Sequence, residues 1–193
     1  MKKVIRCKEC SDGYYIIKEG AYATFAGCTN YPECRSAERF TDLLYDFFEL
    51  KGINIYSWDR VCWKCKTKIP VFTYLLTYDL YELDSYFQIE REIGLGDFGS
   101  IDRYLETIYP TIKEKYSRTT NSSYVANTCP HCGALQGRNY IVDDPDEIWD
   151  EYVASRGMEK YLVKTIPVSE IKDFKQDIVS RFSKGTIYSK KKN

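Results

Sequence analysis

Eight cysteines in four close pairs are the residues best equipped for chemistry in this chain. Cys7 and Cys10 belong with Cys28 and Cys34, and Cys62 and Cys65 belong with Cys129 and Cys132. Three of the pairs are C-x-x-C, while Cys28 and Cys34 are set further apart. A C-x-x-C turn aims two sulfurs at one point, and two such turns complete a tetrahedral thiolate site. Zinc suits that geometry, having no redox chemistry and a preference for thiolate. The spacing therefore predicts two structural Zn²⁺ ions. A closed shell of sulfurs leaves no open position for water or substrate. Thiol redox at a C-x-x-C pair is a distant alternative, since bound zinc would occupy the thiolates.

Other chemistry-bearing residues carry less. His131 is the only histidine. Four sulfurs already complete its site, so it is read as an exposed knuckle tip. A single histidine also removes most acid–base and triad schemes. Gly94, Gly96 and Gly99 spell G-x-G-x-x-G, but QIEREI before them is a poor buried strand and no βαβ unit follows. They are read as a turn capping a helix at 101. The carboxylates of 143–151 suit a helix N-terminus, where acids favour the dipole, better than a nuclease metal site. The alternative reading is that this acidic face docks a basic partner or folds over the protein's own basic surface. The expectation is a non-enzyme.

Composition sets the frame for these sites. The chain has 193 residues, 44% hydrophobic and 29% charged, as in soluble globular proteins. Its formal net charge is +0, and each zinc with four thiolates adds about −2. Any nucleic-acid contact must therefore come from local patches. Charge is segregated: Arg60, Lys64, Lys66 and Lys68 lie in an acid-free stretch, 143–151 has no base, and Lys190, Lys191 and Lys192 form a basic end. No run approaches a membrane span, and MKKVIRCKEC has no apolar core of a signal peptide. A cytoplasmic, reducing location is expected, which favours metal over cystine.

The elements that must position the cysteines are then read from pattern. YYIIKEG and AYATFAG form a hairpin with a cysteine pair at each end. Residues 41–51 form a helix capped by Thr41 or Asp42 and ended by Gly52. INIYSW is a strand, and KIPVFTYLLTYDLYEL one or two strands. From Ser100 a helix runs toward Pro110, which kinks it or starts another. SRTTNSSYVAN is a polar loop leading to Cys129. GRNYIV is a strand, a helix opens at Asp144–Pro145 and closes at Gly157, YLVKTIPV is a strand, and a last helix is capped by Ser169. The fold class is α+β: two small zinc-ribbon β units, the second split by a helical insertion, with a C-terminal αβα segment. The expected domains are 1–40, 41–142 and 143–193. Metal binding should be coupled to folding in the first, which is too small for a core of its own.

The first quartet, from Cys7 through Phe25, Gly27, Cys28, Thr29, Tyr31, Pro32 and Cys34, resembles the four-cysteine zinc ribbon of bacterial type IA DNA topoisomerases. Gly20 and Tyr22 also match, while Ala23 stands where that family usually has glycine. The resemblance covers a minor part of the chain and none of a topoisomerase catalytic domain. It implies contact with single-stranded DNA. A separate physical case exists. Tyr14, Tyr15, Tyr22, Phe25 and Tyr31 are many rings for so small a unit, and Lys18, Arg35 and Arg39 lie beside them. Rings that stack on bases and cations that meet phosphates are the usual grip on single strands. The rival use of those rings is packing around zinc and against the helix at 41–51. The second quartet, with the Cys-Pro-x-Cys-Gly knuckle at Cys129, resembles zinc-ribbon proteins of bacteria and phages. Lys64, Lys66 and Lys68 around the Cys62–Cys65 knuckle either meet phosphate or offset thiolate charge.

The reading is a DNA-binding accessory protein preferring single strands, through Lys18, Tyr22, Phe25, Tyr31 and Arg35, with Lys64 and Lys66. The alternative is a zinc-stabilised protein–protein adaptor or regulator of a larger bacterial or phage enzyme. No membrane partner is expected.

Overall fold

The computed structural model describes residues 4–83, 92–141 and 157–182. They form an α+β chain with three small antiparallel-ribbon sheets, and contacts group them into two compact units. The first takes in described residues within 1–53, 79–91 and 167–193, and the second those within 54–78 and 92–166.

The first unit is built on a three-stranded sheet, β1 (Tyr15–Glu19), β2 (Thr24–Cys28) and β3 (Ala37–Arg39), in that order. Register sets its two faces, because strand side chains alternate. Lys18 pairs with Phe25 and Phe25 with Arg39, so these three share one face with Ile16, Gly27 and Ala37. The other face carries Tyr15, Ile17, Ala26 and Cys28, all buried. Helix α1 (Phe40–Lys51) follows directly and packs on β2 and β3. Its buried residues Phe40, Leu43, Leu44, Phe47 and Phe48 recur at helical spacing. The N-cap is Arg39, which makes no side-chain cap bond. Neither Thr41 nor Asp42 caps; Asp42 sits in the first turn, where Arg39 Nε meets its carboxylate at 2.8 Å. Gly52 ends the helix at φ 76°, as expected.

Against α1 lies the last described helix, α5 (Phe174–Phe182), burying Phe174, Ile178 and Phe182. Phe174 meets Phe48 edge-on at 5.7 Å between centroids. This helix starts later than Ser169 predicts. Ser169 belongs to a 3-10 turn, Val168–Glu170, and Asp173 at φ 65° breaks the path before Phe174.

The second unit holds two sheets. One has the order β5-β4-β9, with β4 (Ile53–Val61), β5 (Lys68–Tyr74) and β9 (Leu162–Ile166). The other has the order β6-β7-β8, with β6 (Ile112–Ser117), β7 (Ser122–Thr128) and β8 (Leu135–Gln136). Asn127 ties them together: its side chain accepts from the Phe72 amide at 2.9 Å and donates to the Phe72 carbonyl at 2.8 Å. Helix α3 (Gly99–Ile108) enters from the glycine turn, where Gly96 takes φ 94°. Tyr74 anchors that turn, its buried hydroxyl donating to Asp102 Oδ1 at 2.8 Å and accepting from the Phe98 amide at 2.9 Å. Desolvation and the Asp102 carboxylate push the Tyr74 phenol far above its ordinary value.

Several local expectations are corrected here. After β5 the chain forms a short helix, α2 (Leu76–Leu80), instead of a second strand. Beyond Pro110 it forms β6, not a helix, and the polar stretch before Cys129 is its hairpin partner β7. The GRNYIV strand is a helical turn, α4 (Arg138–Ile141), because pairing with β7 ends at Gln136. The expected helix after Pro145, the acidic stretch 143–151 and the lysines 190–192 lie outside the described residues.

Candidate zinc centres and nucleic-acid interface

At the first centre, Cys7 and Cys10 precede β1, Cys28 ends β2, and Cys34 lies in the turn before β3. Their four sulfurs lie within 4.8 Å of one another. Cys7 and Cys34 are 3.7 Å apart, and Cys10 and Cys28 3.5 Å. Ligands about 2.3 Å from zinc at tetrahedral angles are separated by about 3.8 Å, so the group fits Zn²⁺. Amide donors face the sulfurs, as thiolate charge requires. The Asn30 amide points at Cys28 Sγ at 3.4 Å and the Glu9 amide at Cys7 Sγ at 3.5 Å. Gly13 is needed by contact: a Cβ there would fall 2.6 Å from both Cys10 Sγ and Cys28 Sγ.

The second centre is assembled across the two sheets. Cys62 and Cys65 join β4 to β5, and Cys129 and Cys132 join β7 to β8. Cys62 and Cys132 stand 3.7 Å apart, Cys65 and Cys129 3.6 Å. Both knuckles follow one plan. The Cys62 amide donates to Thr67 O and the Lys66 amide to Cys62 O. The Cys129 amide likewise donates to Ala134 O and the Gly133 amide to Cys129 O. The equivalent residues Lys66 and Gly133 are both left-handed, at φ 61° and 67°. Buried Gln136 donates to Cys62 Sγ at 3.4 Å and to the Ala134 carbonyl at 2.9 Å. The Thr67 hydroxyl lies 3.4 Å from Cys65 Sγ, placed to donate to its thiolate. Asn30, Thr67 and Gln136 carry no sequence signal for this role.

Without metal, each quartet divides its protons unevenly. Burial raises Cys7, but the amides of Glu9 and Cys10 outweigh it and bring the thiol down to about 6. Burial, with the neighbouring sulfurs, pushes Cys10 up to about 12. The Thr67 hydroxyl and amide draw Cys65 down to about 6. The Ala134 amide pulls on Cys132, but burial and the other sulfurs prevail and push it up to about 11. Burial raises Cys62, but the amides of Cys65 and Lys64 outweigh it and lower the thiol. The first quartet thus offers Cys7 and the second Cys62 and Cys65 as the readier thiolates, and metal displaces protons from the rest.

The structure separates the aromatic residues of the first unit. Tyr15 is packed, with its hydroxyl 2.7 Å from Ser36 Oγ. Tyr14 is half-buried, with the Arg6 guanidinium 5.8 Å from its ring centre. Tyr22 is fully exposed at the β1–β2 turn, and Tyr31 is 64% exposed. Phe25 is half-buried on the outer sheet face. Lys18 links these groups: its ammonium lies 5.3 Å from the Tyr31 ring centre and donates to the Cys28 carbonyl at 3.3 Å. Its stem crosses Gly27, where a Cβ would meet Lys18 Cδ at 2.8 Å. Arg35 is exposed. Lys8 is committed elsewhere, to Asp46 at 2.7 Å and Glu38 at 2.9 Å. Lys64, Lys66 and His131 are exposed at the second centre.

Residues 4–42 match the family model described as the topoisomerase DNA-binding C4 zinc finger. This segment is a zinc ribbon of that type, and its boundaries enclose the first cysteine quartet and its three strands. Among curated proteins and solved structures, none matches the chain. No described helix is long and apolar enough to cross a membrane.

Proposed function

We propose that this chain is a nucleic-acid-binding accessory protein that grips single-stranded DNA with its first zinc ribbon. One observation carries the reading: the ribbon matched to a DNA-binding finger presents Tyr22 and Tyr31 to solvent, with Phe25 and Lys18 on the adjoining outer face. Tyrosines without a packing role are suited to stack on unpaired bases, each stacked base being worth about 1–3 kcal/mol. Lys18 and Arg35 supply phosphate contacts beside them, and Lys64 and Lys66 add two more at the second centre. Six carboxylates within 4–42, against five basic residues, leave little net attraction for a duplex backbone. Stacking, which requires unpaired bases, is thus favoured over charge. The role is non-enzymatic: both zinc ions have four sulfur ligands, and the metals serve to hold the ribbons. A protein–protein adaptor is the other use of such a platform.

The test is anisotropy of labelled single-stranded DNA against zinc-loaded protein and its Tyr22→Ala/Phe25→Ala double variant. The expected result is affinity weakened by about tenfold or more with zinc content unchanged. Unaltered affinity in the double variant would sink the reading.

A further inference from the structure

The second zinc centre carries an aromatic residue that the packing does not use. Trp63, inside the Cys62–Cys65 knuckle, is 51% exposed, whereas Trp58 in the adjoining strand is 7% exposed. The exposed indole is nonetheless held: its N–H donates to the Leu135 carbonyl at 2.7 Å, bracing one knuckle against the strand that leaves the other. A ring fixed in place and left open to water loses little entropy when a partner stacks on it. The surroundings are one-signed. The segments 60–70 and 122–137, which build this centre, contain no aspartate or glutamate. Lys68 is paired with Asp59 at 3.0 Å, but among the described residues no carboxylate pairs with Lys64 or Lys66. These two exposed lysines flank Cys65 immediately after the ring.

We propose that this knuckle is a second single-strand contact, with Trp63 as its base-stacking platform and Lys64 and Lys66 meeting the phosphates. The inference rests on the ligand class of the reading above and on its Lys64 and Lys66, and adds a separate stacking residue, Trp63. Trp63 reports directly, because stacking of a base on an indole quenches its emission. The probe is a short oligothymidylate titrated into the full zinc-loaded chain. Saturable quenching is expected in the wild type and in Tyr22→Ala/Phe25→Ala, and its absence in Trp63→Phe at full zinc content. Lys64→Gln/Lys66→Gln keeps the ring, and it should flatten the salt dependence of binding by about 1.4 in log–log slope, at about 0.7 per phosphate contact. Binding seen by anisotropy but with no Trp63-dependent quenching would overturn the proposal and leave the first ribbon as the sole contact. Quenching that survives while Tyr22→Ala/Phe25→Ala changes nothing would sustain this contact and remove the first.

Discussion

At the residue scale, a zinc ribbon is limited by what can fit around four sulfurs. Gly13 shows this most sharply. Its backbone passes so close to Cys10 and Cys28 that a methyl group would fall at 2.6 Å from both sulfurs. Neither sulfur can retreat without leaving the metal. Gly13→Ala is therefore expected to abolish zinc at the first centre while sparing the second. Zinc analysis should then show half the metal per chain, and full occupancy would refute the claim. Gly133 differs in kind: nothing lies within 4 Å of an added Cβ, so the left-handed φ is its only constraint. Lys66 adopts that same conformation with a full side chain. The strain tolerated there, about 1–2 kcal/mol, keeps a lysine at the exposed knuckle where glycine would be the easier residue.

Elements place these residues by burying one face and freeing the other. In the first unit, α1 packs on β2 and β3, the Tyr15–Ile17–Ala26 face of the sheet is buried, and Lys18, Phe25 and Arg39 share the other face. Helix α5 in turn covers α1 through Phe174 and Ile178. Phe174→Ala removes a fully buried ring and should cost about 3–5 kcal/mol in chemical denaturation. A change under about 1 kcal/mol would show that α5 does not support the unit. Much of this was legible in sequence. The cysteine spacing, the first hairpin, α1 with its Gly52 stop, β4 and β9 all follow from pattern. What escaped has physical causes. Strand β7 is polar for most of its length and owes its conformation to pairing with β6 rather than to alternation. Leu76–Leu80 continues an apolar run, and periodicity cannot separate a short buried helix from a strand there. The Asn30 and Gln136 side chains reach Cys10 Sγ at 3.7 Å and Cys62 Sγ at 3.4 Å only through the folded path, so no spacing rule announces them. The exposure of Tyr22 and Tyr31, and the burial of Tyr15, likewise required the sheet's register.

For the whole molecule, metal, protons and folding are linked. Metal-free Cys10 and Cys132 hold their protons well above neutrality, and zinc must displace them. Zinc affinity, measured by competition with a chromophoric chelator, should rise between about pH 6 and about pH 8. Affinity independent of pH would contradict thiolate ligation. A separate loss is expected in stronger acid. Arg39 holds the Asp42 carboxyl below its ordinary value, so this pair stabilises the fold above that ordinary value. The contribution fades as pH falls through the lowered folded-state value. Net charge offers no global attraction to nucleic acid, so any affinity must come from local surfaces. The most direct test is anisotropy of labelled single-stranded and duplex DNA of one sequence against zinc-loaded protein, titrated with salt. The account predicts tighter binding to the single strand, retained near physiological ionic strength, with a shallow salt slope. Equal or tighter binding to duplex, or binding lost on slight addition of salt, would contradict it and favour a protein partner.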